Sequence, residues 1–213
     1  RAMRNILGQS CGEDGILGEE YGPVSGRSGL TWVLDPIDGT RAFISGAPTW
    51  GPLLGLDAGE GPILGVIDQP FLRERFAGGP GGCLYQGPEG APKAVRTRPC
   101  GGLGDAILYS TFPEIGSEAE RAGFQDVAAR VKLTRYGFDC YAYALLAMGQ
   151  VDLVIEAGLH IYDIQGPQAV IEAAGGIVTD WTGGPAHRGG RVIAAGDART
   201  HAAALRYLEA VRG

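Results

Sequence analysis

Between Thr31 and Ser110 the chain passes through seven short apolar or β-branched runs and no stretch with a helical repeat. They are Thr31–Leu34, Leu53–Leu56, Ile63–Ile67, Arg73–Ala77, Cys83–Gln86, Lys93–Thr97 and Ala106–Ser110, separated by turns rich in Gly, Pro and Asp. Consecutive strands without intervening helices predict an antiparallel or mixed sheet. After residue 112 the pattern changes to alternation. Ser117, with Glu120 three residues on, forms a capping box for a helix to about Val131. Lys132–Tyr136 reads as a strand, and Asp139 as the cap of a helix through Met148. Val151–Glu156 is the next strand, and Asp163 caps a helix stopped by Gly175-Gly176. Ile177–Trp181 and Arg191–Ala195 are strands, and Asp197 caps a last helix to about Val211. Residues 1–213 are thus expected to form one unit with a sheet-rich half, approximately 1–112, and an α/β half, approximately 113–213. Arg1–Gln9 reads as the tail of a helix already under way.

Net charge excludes some partners. With 24 acidic against 18 basic side chains, the chain lacks the basic face that a nucleic-acid partner needs. An acidic protein that takes an anionic ligand must meet it locally, with a cation or with backbone N–H groups. No apolar run reaches the roughly 18 residues of a membrane span. Four scattered cysteines, Cys11, Cys83, Cys100 and Cys140, predict reduced thiols and a cytoplasmic location.

Carboxylates cluster around one strand end. Asp35-Pro36-Ile37-Asp38-Gly39-Thr40 follows the strand Thr31–Leu34. Two aspartates three residues apart in a Pro-stiffened loop can converge on one point, with the Ile37 carbonyl as a third oxygen. Oxygen-only ligation suits a hard cation such as Mg2+. Gly39 permits close backbone approach, so the Gly39 and Thr40 N–H groups can grip a phosphate, and the Thr40 hydroxyl can orient a water. An Asx-type turn uses the same residue types. Upstream, Gly18-Glu19-Glu20-Tyr21-Gly22 carries paired carboxylates, which in isolation read equally as a solvated loop. Downstream, Asp163 in His160-Ile161-Tyr162-Asp163 reads equally as a helix N-cap.

Taken together, Trp32–Thr40, Gly18-Glu19-Glu20 and Tyr162-Asp163 with Ala173-Ala174-Gly175-Gly176 resemble the inositol-monophosphatase family in order and spacing. The resemblance implies a layered αβαβα sandwich and Mg2+ as cofactor, with Mn2+ a possible substitute. It implies a small phosphate monoester as substrate and assembly as a homodimer. Carried over residue by residue, it makes Glu19, Asp35, the Ile37 carbonyl, Asp38 and Asp163 the metal ligands. Glu19 and Thr40 would activate the attacking water, and Gly39 and Thr40 would bind phosphate. The family's N-terminal helix pair, with the mobile loop that completes a weaker metal site, has no counterpart in these residues. The number of metals therefore stays open.

Within the family, Asp38–Ile44 with Arg41 after the threonine, Gly65–Pro70, Phe138–Tyr143 and Val151–Glu156 most resemble the histidinol-phosphate phosphatase branch. Histidinol phosphate carries an ammonium and an imidazole, and a pocket with Asp139 and Glu156 can pair with them. Asp139 can also serve only as a helix cap, and Arg41 either touches substrate or braces the loop. Asp163 completes the expected substrate contacts. The alternatives are an inositol-1-phosphate phosphatase, a promiscuous sugar-phosphate phosphatase, and a catalytically silent metal-binding protein.

Overall fold

A computed structural model describes residues 1–211. The first sheet contains β1 (Gly15–Gly18), β2 (Thr31–Asp38), β3 (Gly51–Asp57), β4 (Pro62–Gln69), β5 (Glu74–Gly79), β6 (Gly82–Gln86) and β7 (Lys93–Val95). These strands lie in sequence order; β1 is parallel to β2 and each later neighbour is antiparallel. The sheet is mixed, as expected, but the last of the seven expected runs, Ala106–Ser110, joins the second sheet instead.

The second sheet contains β8 (Ile107–Ser110), β9 (Leu133–Tyr136), β10 (Leu153–Leu159), β11 (Ile177–Thr179) and β12 (Gly190–Ala195). Its spatial order is β11-β12-β10-β8-β9, with β8 parallel to both neighbours and β12 antiparallel to both of its own. The helices are α1 (Ala2–Ser10), α2 (Thr40–Ser45), α3 (Glu118–Ala128), α4 (Asp139–Ala147), α5 (Ile161–Ala173) and α6 (Ala198–Leu208).

Helices α4 and α5 lie between the sheets, and α3 pairs with α6 on the far side of the second sheet. The result is a layered α/β sandwich. Alternation along β10 shows how the layers are filled. Val154 faces the interior between the sheets, with Leu53, Ile67, Phe76 and Ile164. Leu153 and Ile155 face the other way, toward Phe124, Val127 and Trp181. Glu156 shares the Val154 side by the two-residue period of a strand, so β10 delivers a carboxylate into the interior. Helix α5 lies flat on the first sheet because glycines remove the side chains between them. A Cβ on Gly65 would overlap the Gly166 carbonyl oxygen, so the contact exists only without one.

Three local expectations change. The strand expected to end at Asp35-Pro36 continues to Asp38, with a register shift against β3 between Asp35 and Asp38. Proline is tolerated there because pairing with β1 stops at Leu34, leaving that side of Pro36 without a ladder bond to donate. Asp139 is not an N-cap: Phe138 holds that position and Asp139 is the first helical residue. Asp163 is not one either. It is the third residue of α5, where its Oδ2 accepts from the His160 N–H at 2.6 Å. Ser117 and Asp197 do cap α3 and α6.

Candidate active site

The bulge in β2 and the first turn of α5 meet at one end of the first sheet. There a carboxylate oxygen from each of Asp35, Asp38 and Asp163 lies within 4.8 Å of the others. Each side chain is held by backbone. Asp35 Oδ1 accepts from the Ile37 N–H at 2.9 Å, which is the Asx-type turn, so turn and cluster coexist. Asp38 Oδ2 accepts from the Cys140 N–H at 2.7 Å, tying β2 to α4.

Three carboxylates this close cannot all be comfortably ionised without a counter-charge. Burial, followed by the charge of Asp38, pushes Asp35 up to about 8, although the Ile37 N–H pulls the other way. Burial pushes Asp38 up to about 7, with Asp163 adding to it and Cys140 opposing it. Asp163 is raised chiefly by burial, partly offset by the His160 N–H. A divalent cation among them offsets the cost of burying these charges and the repulsion that adds to it at Asp35 and Asp38. The donors are oxygen only, which fits Mg2+ or Mn2+ better than a metal seeking imidazole or thiolate.

Glu19 follows β1 directly, its N–H donating to the Leu34 carbonyl at 3.3 Å. Its side chain is exposed at the rim, near enough for its charge to raise both Asp35 and Asp163. With Pro36, Ile37 and Tyr21 it lines a cavity of about 340 Å3 beside the cluster. The Ile37 carbonyl accepts from the Thr40 hydroxyl at 3.2 Å. Gly39 has φ +76° and precedes α2, whose first-turn N–H groups have no partner within the helix.

A second group of side chains borders this one. Glu156 is buried, and its Oε1 accepts from the Thr111 N–H at 2.7 Å and the Thr111 hydroxyl at 2.9 Å. Burial nevertheless pushes it up to about 8. Asp139 Oδ2 accepts from the Thr49 hydroxyl at 3.1 Å, and burial raises its carboxyl as well. The Arg41 guanidinium carbon stands 4.7 Å above the ring centroid of Phe112, which follows Thr111, the residue bonded to Glu156.

Sequence reasoning missed Thr49, Thr111 and the Cys140 N–H, each held to its carboxylate by a contact spanning 45 or more residues. No local motif announces such pairings.

The inositol monophosphatase family model matches residues 1–212. The chain belongs to the inositol monophosphatase family. It is 44% identical to the chloroplastic bifunctional phosphatase IMPL2 of Arabidopsis thaliana, over 98% of this chain and 62% of that protein. It is 32% identical to the histidinol-phosphatase of Mycobacterium tuberculosis, over 90% of this chain and 75% of that one. Among solved structures it superposes on an inositol monophosphatase from Zymomonas mobilis with a TM-score of 0.88 and 39% identity, covering 98% of this chain and 80% of that one. The chain therefore spans just under two thirds of the length of IMPL2. Among the described residues no helix is long and apolar enough to cross a membrane.

Proposed function

We propose that the chain carries the site of a Mg2+-dependent phosphomonoesterase that hydrolyses L-histidinol phosphate to L-histidinol and phosphate. The observation that carries the phosphatase reading is the meeting of Asp35, Asp38 and Asp163 within 4.8 Å, next to the Gly39–Thr40 turn. Asp35, Asp38, Asp163 and the Ile37 carbonyl would hold the cation, with Glu19 joining them from the rim. When bound, Mg2+ polarises the phosphoryl oxygens and acidifies a water.

The chain's own groups do the rest. The backbone N–H groups of Gly39 and Thr40 take phosphate oxygens at the opening of α2. Glu19 accepts a proton from the attacking water while the Thr40 hydroxyl, one bond from the Ile37 carbonyl, orients it. Water attacks phosphorus in line, the ester P–O bond breaks, and the departing alkoxide takes up a proton from solvent water to leave as the alcohol, while Glu19 returns its own proton to solvent.

Substrate choice rests on the second group. Asp139 and Glu156 are two carboxyls whose ionised forms burial disfavours. A substrate bringing an ammonium or imidazolium between them relieves that cost, whereas a neutral polyol does not. The named relatives support both this reading and a second one. The Mycobacterium histidinol-phosphatase favours the first and the Zymomonas inositol monophosphatase favours an inositol phosphate, while IMPL2, named as a bifunctional phosphatase, favours neither. A silent metal-binding protein has no use for Glu19 and Thr40 in these positions. The four unpaired cysteines fit a cytoplasmic enzyme, which we place in a homodimer on family resemblance.

Protein stripped with EDTA should release no phosphate from histidinol phosphate. Mg2+ or Mn2+ should restore turnover and Zn2+ should not, because the site offers no His or Cys ligand. Full activity in the stripped protein without added metal would refute the mechanism.

A further inference from the structure

Asp139 is held in an unusual backbone conformation. Its φ is +46°, a left-handed value that costs an L-residue energy and that Asp and Asn tolerate better than most. Its side chain is also confined on one flank. A Cβ built on Gly39 would lie 2.9 Å from both Cβ and Cγ of Asp139, so the phosphate-binding turn and this carboxylate are in direct contact.

On the other flank stands Thr49, just before β3 and half-buried. Its hydroxyl proton is shared between two acceptors, Asp139 Oδ2 at 3.1 Å and the Gly137 carbonyl at 3.2 Å. The Thr49 carbonyl in turn lies 3.9 Å from the Cys140 sulfur. One residue therefore grips Gly137, Asp139 and Cys140, across 88 to 91 positions of sequence. Such a brace is what a strained residue needs to persist, and strain of this kind gathers at functional sites.

We propose that Thr49 is a positioning residue for substrate selection: its hydroxyl fixes the rotamer of Asp139, so that the carboxylate faces the cationic part of the leaving alcohol. The inference rests on the proposed role of Asp139 at the substrate. Thr49 itself touches no reacting atom. Its effect passes entirely through the orientation of one carboxylate.

The test compares Thr49→Val, which keeps the shape and loses the hydroxyl, with Thr49→Ser, which keeps the hydroxyl. The readout is the ratio of kcat/KM on histidinol phosphate to kcat/KM on inositol-1-phosphate, with Mg2+ present. Losing one hydrogen bond should lower that ratio about three- to tenfold in Thr49→Val, mostly through KM, and Thr49→Ser should recover it. Adding Thr49→Val to Asp139→Asn should cost less than it does alone, because the two act through one group. A crystal structure of Thr49→Val, expected to show the Asp139 side chain turned, reads the positioning without reference to substrate. An unmoved Asp139 there, or an unchanged ratio while Asp139→Asn lowers it, overturns the inference. If Asp139→Asn itself leaves the ratio unchanged while Thr49→Val still turns the side chain, the substrate reading has failed and the positioning has not.

Discussion

Asp38→Asn should leave the protein folded and lower kcat by more than about 100-fold at saturating Mg2+. Changes in groups that merely support a metal ligand already cost about 10- to 100-fold, and Asp38 is proposed as a ligand itself. Folding is expected to survive because the amide oxygen of Asn can still accept the Cys140 N–H now bonded to Asp38 Oδ2. The substitution also removes one of three crowded carboxylates whose ionised forms are disfavoured by burial. The metal-free variant should accordingly melt no lower than the metal-free parent at pH 8. A folded Asp38→Asn protein with near-normal kcat would mean that the cation, if any, sits elsewhere.

Asp139→Asn should act on substrate choice. A hydrogen bond to a charged group contributes about 1.5–3 kcal/mol, so kcat/KM on histidinol phosphate should fall about ten- to 150-fold. Activity on a neutral polyol phosphate should fall far less, since it presents no cation to lose. Asn is the right replacement for two structural reasons. Its carbonyl oxygen can still accept from Thr49, and it tolerates the left-handed φ that Asp139 adopts. Equal losses on both substrates, on protein shown by thermal melt to be folded, would assign Asp139 to the general site.

How far the site could be read in advance differs from residue to residue. Asp35, Asp38 and their loop were legible because two carboxylates, a proline and a glycine in six residues leave few conformations. The capping box at Ser117–Glu120 was legible for the same reason, since both partners are local. Asp139 and Asp163 read both as N-caps and as site residues, and neither occupies the N-cap position, because an acidic residue at a helix start carries the same local signal whether it caps or faces inward. Only the tertiary partners, Thr49 for one and the Asp35–Asp38 pair for the other, separate the two cases. Strand β1 is four residues with glycine at each end, too short for an alternation to show, and it exists by pairing in parallel with β2. Helix α2 has six residues and buries only Ala42, so it has no apolar face to reveal it. Pro167 shows the opposite error that a breaker rule invites. It sits inside α5, where packing against the first sheet outweighs the lost backbone bond.

The most direct measurement is phosphate release with Mg2+ from histidinol phosphate and from inositol-1-phosphate, each followed to kcat/KM on the same preparation. The proposed pairing of Asp139 and Glu156 with a cationic group predicts a preference for histidinol phosphate of at least about tenfold, the lower end of what one charge-assisted hydrogen bond contributes. Equal or better turnover of inositol-1-phosphate would contradict the substrate assignment, and no phosphate from either ester would contradict the enzyme.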